Sequence, residues 1–97
     1  MEVLDFTFPA KRKISKRAHV GVVGSGNLEV LLESSMDTMA HVKVRTSVNG
    51  FKESWEAVLT KFFERFDGAV NIEMNDAGAT PGIVMLRLLQ AAELVEQ

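Results

Sequence analysis

Residues 3 to 8 alternate apolar and polar positions through Asp5, Phe6, Thr7 and Phe8 and stop at Pro9, which predicts a short strand. Ala18 to Val23 is β-branched and apolar, a second strand. Gly24-Ser25-Gly26-Asn27 breaks it with residues that tolerate positive φ. Leu28 to Glu33 places Leu28, Val30 and Leu32 on one face of a strand. A helix would also cluster these leucines, but Ser34-Ser35-Met36-Asp37-Thr38 closes the segment after six residues and favours the strand. Ala40 to Val48 alternates most cleanly: Ala40, Val42, Val44, Thr46 and Val48 oppose His41, Lys43, Arg45 and Ser47, as in a half-buried antiparallel strand with one wet face. Phe51, Trp55, Val58, Leu59, Phe62, Phe63 and Phe66 then recur at three- and four-residue spacing. This predicts a long amphipathic helix over about 51–66, with Asn49 as N-cap and Gly68 as its stop. Val70, Ile72 and Met74 alternate with polar residues in a further strand. Thr80-Pro81 reads as an N-cap and first helical position for a C-terminal helix with Val84, Leu88, Ala91 and Val95 on one stripe. A strand at Ile83 to Leu89 fits nearly as well. The expected fold is α+β: a two-layer sandwich of a mainly antiparallel sheet of about four strands, with the long helix and the C-terminal helix on one face.

Composition narrows the function. The 97 residues suit one domain, 1–97, and 46% apolar with 25% charged residues is ordinary for a chain that folds unaided. The absence of cysteine excludes a disulfide scaffold, a zinc ribbon and a thiol nucleophile on the polypeptide. Met1-Glu2-Val3-Leu4-Asp5 carries acids where a signal peptide needs bases, and no apolar run is long enough to span a membrane, so a cytoplasmic protein without membrane partners is expected. A self-contained enzyme with a deep cleft is not expected at this size.

The net charge of −2 hides an asymmetry. Lys11-Arg12-Lys13-Ile14-Ser15-Lys16-Arg17 holds five of the eleven bases in seven residues, leaving six bases against thirteen acids elsewhere. The segment reads as a basic, solvated linker over 11–17, or as a strip that docks an anionic partner or cofactor. It also supports an alternative function, a small nucleic-acid-binding or protein-interaction module. A nucleic-acid module would want bases continued on the fold with exposed aromatics between them, and the bases beyond residue 17 are few and scattered.

Gly24-Ser25-Gly26 after an apolar strand suggests a dinucleotide-binding turn, but the third glycine of that motif would fall at Glu29 and the chain is too short for the full βαβ unit. No Ser, His and acid spacing defines a catalytic triad, and His19 and His41 alone make a poor metal site, so no catalytic or metal residues are expected. What the triplet offers is a serine at a bend without flanking side chains. A lone serine without a base is a better acceptor for another enzyme's modification than a nucleophile in its own right.

Val20-Gly21-Val22-Val23-Gly24-Ser25-Gly26-Asn27-Leu28-Glu29-Val30-Leu31-Leu32-Glu33 closely resembles the acyl-carrier, or delta, subunits of bacterial malonate decarboxylases. So do Thr46-Ser47-Val48-Asn49-Gly50, Phe66-Asp67-Gly68, Asp76-Ala77-Gly78-Ala79-Thr80-Pro81-Gly82-Ile83-Val84 and Leu86-Arg87-Leu88, in the same order. A weaker likeness, through Ser25-Gly26 and Asp76-Ala77-Gly78-Ala79, runs to the acyl-carrier (gamma) subunit of citrate lyase. The resemblance implies a non-catalytic carrier phosphoprotein of malonate catabolism whose Ser25, flanked by Gly24 and Gly26, bears 2'-(5''-phosphoribosyl)-3'-dephospho-coenzyme A through a phosphodiester. It further implies an acetyl or malonyl thioester on that arm, shuttled between transferase and decarboxylase subunits, and a separate enzyme that attaches the group. A chain without cysteine could then take part in thioester chemistry, because the sulfur arrives on the cofactor. The family pattern commonly has Asp after Gly-Ser-Gly, where this chain has Asn27, which removes a charge beside the ester. The basic run at 11–17 also exceeds the family pattern, and we expect it to help dock the polyanionic arm or an acidic partner surface.

Overall fold

The computed structural model describes residues 1–96. The strands are β1 (Glu2–Pro9), β2 (Arg12–Lys13), β3 (Ala18–Gly21), β4 (Leu28–Ser34), β5 (Met39–Thr46) and β6 (Gly68–Asp76), and the helices are α1 (Lys52–Phe63) and α2 (Pro81–Glu96). The sheet runs β1-β5-β6-β4-β3, with the two-residue β2 added beside the start of β6. The two-layer α+β reading holds, but the sheet has six strands rather than about four, and it is mixed. β5 and β6 are parallel, His41 opposite Asn71 through Thr46 opposite Asp76, and β2 is parallel to β6 at Gly68 and Ala69. Period-two alternation reports which face a residue occupies and not the direction of the neighbouring strand. The direction follows from the connection, since α1 is the crossover that a parallel pair requires.

One sheet face makes the core. Leu4 and Phe6, Leu28, Val30 and Leu32, Ala40, Val42 and Val44, and Val70, Ile72 and Met74 are buried, and register pairs them across the sheet. Trp55, Leu59 and Phe62 of α1 and Val84, Leu88, Ala91 and Val95 of α2 close it from above. These four α2 residues are the stripe expected of a helix, which resolves the helix and strand alternatives at 81–89. Ile83 N–H donates to Thr80 Oγ1 at 3.3 Å, the capping bond expected of Thr80. No helix among the described residues is long and apolar enough to cross a membrane.

Several boundaries differ from the sequence reading. Helix α1 starts after Phe51, whose side chain is 53% exposed rather than on the apolar stripe, and Asn49 makes no cap. It ends at Phe63, and Gly68 opens β6 instead of stopping the helix. Gly68 is needed for close packing, because a Cβ there would lie 2.6 Å from Ile14 Cγ1 and 2.7 Å from the Phe66 ring. β5 ends at Thr46, leaving Val48 outside the strand, and β3 ends at Gly21.

The basic run is woven into the fold. Ile14 is 4% exposed within the core, and the N–H groups of Lys11 and Arg12 both donate to the Asp67 carbonyl, at 2.7 and 3.1 Å. The Arg12 guanidinium pairs with Asp67 and, at 2.5 Å, with Glu96, and lies 5.8 Å from the centre of the Phe66 ring. These contacts hold the Asp67 carboxyl below its usual range and raise the Arg12 guanidinium further. A phosphate-binding strip needs uncompensated charge, so Arg12 is already spent.

Candidate functional site: the β3–β4 turn

β3 and β4 form an antiparallel hairpin, Gly21 opposite Glu29 and Ala18 opposite Leu32, joined by residues 22–27. Gly21 adopts φ +77°, and a Cβ on it would fall 2.1 Å from the Leu28 carbonyl oxygen, so only glycine lets the chain leave β3 this close to β4. Val22 and Val23 are 62% and 60% exposed; the apolar run expected to continue the strand instead forms the rising limb of the turn. Asn27 N–H closes the turn on the Gly24 carbonyl at 2.9 Å. Gly26, third of those four residues, has φ +72°, as a type II turn requires. Ser25 stands beside it at the exposed tip, with no hydrogen-bond partner among the described residues. A Cβ at Gly24 would meet only Val22 Cγ2, at 3.8 Å, and one at Gly26 nothing within 4 Å. Gly26 therefore serves the backbone, and both glycines leave the hydroxyl clear.

The turn is exposed but anchored. Gly26 N–H donates to the Ala77 carbonyl at 2.8 Å, and Ala77 N–H returns a bond to the Asn27 carbonyl at 3.0 Å. The loop it rests on is fixed in turn by buried Asp76, which accepts from Thr46 Oγ1 at 2.8 Å, Gly78 N–H at 3.1 Å and Ala79 N–H at 2.9 Å. Asn27 Oδ1 accepts from Leu28 N–H at 2.8 Å and from Arg87 Nε at 3.2 Å, tying the turn to α2. The segments around Ser25, Asp76 and Arg87, far apart in the chain, thus meet at one end of the sheet. The sequence reading noted each segment but did not join them, and missed Asn27 and Arg87 as supports. Period and composition carry no signal for such a junction.

Among the described residues, no base is hydrogen-bonded to the Ser25 hydroxyl. His19 Nε2 pairs with Glu29 at 2.8 Å and His41 Nε2 with Asp37 at 2.9 Å, both apart from the serine. The Asn75 amide and then His19 hold the Glu29 carboxyl below its usual range; Met39 N–H, His41 and Ser35 do the same for Asp37. The open sheet face carries further pairs, Arg45 with Glu73 at 2.6 Å and Lys43 with Asp5 at 3.6 Å. Among the described residues no three metal-ligating side chains come together. The geometry presents a hydroxyl to another molecule and supplies nothing that would react with it.

A family model described as the malonate decarboxylase delta subunit (MdcD) matches residues 15–95, a span that includes every component of this site. The chain belongs to that family. It is 53% identical to the malonate decarboxylase acyl carrier protein of Burkholderia cepacia, covering 95% of this chain and 88% of the relative. It is 48% identical to that of Azotobacter vinelandii, covering 98% and 97%. The fold matches a chain in the crystal structure of a Pseudomonas malonate decarboxylase hetero-tetramer in complex with malonate, with TM-score 0.94 and 45% identity over 98% of this chain and 99% of that one.

Proposed function

We propose that this chain is the acyl-carrier subunit of a malonate decarboxylase assembly, and that Ser25 carries 2'-(5''-phosphoribosyl)-3'-dephospho-coenzyme A through a phosphodiester. The observation that supports this most directly is a serine hydroxyl exposed on a rigid, doubly anchored turn, with no base beside it. A catalytic serine needs an activating partner, whereas an acceptor needs access and a fixed position. When attached, the group supplies the thiol, and hence the acetyl or malonyl thioester, that the cysteine-free polypeptide lacks. Ser25 Oγ becomes the ester oxygen. Gly24 and Gly26 keep the approach open, and the bonds to Ala77 hold the root of the arm still. The transferase and decarboxylase subunits and the attachment enzyme act on the arm in the cytoplasm. Tethering raises the local concentration of the thioester at each active site in turn.

Because the chain has no cysteine, a thiol-specific label reports the arm alone. After co-expression with the attachment enzymes and removal of any acyl group with hydroxylamine, one label per chain is expected on the wild type and none on Ser25→Ala. Labelling retained in Ser25→Ala, or absent from a wild type prepared with active attachment enzymes, contradicts the reading.

A further inference from the structure

Arg87 reaches the turn from α2 and is, among the described residues, the cation whose side chain is hydrogen-bonded to it. Its Nε donates to Asn27 Oδ1 at 3.2 Å and its Nη1 to Gln90 Oε1 at 2.9 Å, both neutral oxygens. Nη2 has no partner among the described residues, and no carboxylate there lies within ion-pair distance of the guanidinium. Arg12, Lys43 and Arg45, in contrast, are each paired with carboxylates. The Arg87 stem lies against the root of the turn: its Cδ is 3.3 Å from where a Cβ on Gly21 would sit. Asn27 thus orients the guanidinium without neutralising it. Ser25 is two residues from Asn27, so their Cα atoms are within about 7 Å.

Arg12 and Lys13 of the five-base run cannot take this place at the root of an arm. β2 pairs with Gly68 at the start of β6, while the turn is bonded to Ala77, just past its end. At about 3.3 Å per residue, the nine steps from Gly68 to Ala77 put the two roughly 30 Å apart along the strand. The two bases on β2 are therefore remote from Ser25. The cation joined to the turn comes sixty residues after it in the chain.

We propose that Arg87 is a phosphate-binding residue of this site: its guanidinium, oriented by Asn27, hydrogen-bonds the phosphate oxygens esterified to Ser25 and fixes the root of the arm against α2. This rests on the proposed modification of Ser25. A planar guanidinium with free N–H donors suits a phosphodiester, and a charge-assisted bond of this kind is stronger than a neutral one.

The test is phosphorus NMR of the modified wild type, Arg87→Gln and Arg87→Lys. Arg87 is only partly buried, so the variants are expected to fold, and melting curves check this. The resonance of the phosphorus esterified to Ser25 is expected to shift and narrow in Arg87→Gln as the arm root is freed, with partial return in Arg87→Lys. Raising salt to about 1 M should move the wild-type resonance towards the Arg87→Gln position and leave that variant unchanged. One position and linewidth in all three modified proteins would overturn the proposal while leaving the Ser25 reading intact, even if Arg87→Gln melts lower, because Arg87 would then only brace Asn27. A wild type without a phosphodiester signal overturns the Ser25 reading and this inference with it.

Discussion

The two ends of β6 are built differently. At its start, Gly68 is pressed between Ile14 and Phe66, and the aromatic rings continue outward: Phe62 stacks on Phe66 at 5.2 Å and Phe8 on Phe63 at 4.5 Å. Arg12 closes this end by bridging Asp67 and Glu96. Past its other end, side-chain packing gives way to hydrogen bonds: Asp76 holds the loop, Ala77 holds the turn, and Ser25 projects from the turn. Apolar packing stabilises a fold without presenting anything. A hydrogen-bonded turn can fix one exposed atom in place without burying it. The first end is built for stability and the second carries the proposed attachment site, and substitutions should separate them.

The largest expected effect lies in the apolar core. Trp55→Ala removes a side chain only 6% exposed and should lower stability by about 3–5 kcal/mol in urea denaturation. Phe62→Ala, at the aromatic end, should cost a similar amount, yet Ser25 of the folded fraction should be modified at the wild-type level. Impaired modification in that fraction would mean that the ends are not separable.

Asp76→Ala should cost about 2–4 kcal/mol, since it leaves the Gly78 and Ala79 N–H groups without their acceptor and the Thr46 hydroxyl with only the Val48 carbonyl to donate to. In contrast to Phe62→Ala, it should also slow the attachment reaction on folded protein, because the loop beneath the turn loses its anchor. An unchanged attachment rate would remove that loop from the site.

The smallest effect is the response to acid. The folded-state carboxyls of Asp67, Asp37 and Glu29 lie below their ordinary values, so their stabilising contribution is complete above those ordinary values and is lost as pH falls through the folded ones. Asp37 is exposed and Asp67 and Glu29 are only partly buried, so only a modest fall in the denaturation midpoint below about pH 4 is expected. Arg12→Gln should reduce the share of that fall owed to Asp67 and leave the Glu29 share, at the functional end, untouched.

The sequence foretold these two ends unequally. Burial patterns in α1, β4, β5 and β6 follow local periodicity, so Trp55, Val30, Val44 and Ile72 were legible as core. Gly68 was misjudged because its reason is the approach of Ile14, more than fifty residues away. β2 was invisible because two residues carry no period. The exposed bend at Ser25 was legible through Gly24 and Gly26, but the bonds from Ala77, Asn27 and Arg87 arise only when three distant segments meet. The charge run drew attention to residues 11–17 although Arg12 is committed to structural pairing and the cation at the turn is a single arginine on α2. Local charge density shows where bases cluster in sequence; which of them keeps its charge uncompensated depends on tertiary partners.

The central claim is that Ser25 is an attachment point on a carrier, and intact mass spectrometry tests it most directly. The protein is co-expressed with active attachment enzymes and weighed beside Ser25→Ala, whose fold should be unchanged because the hydroxyl makes no contact. A single mass increment, equal to the phosphoribosyl-dephospho-coenzyme A group with or without an acyl group, is expected on the wild type and none on Ser25→Ala. An unmodified wild type, or the same increment on both proteins, would contradict it.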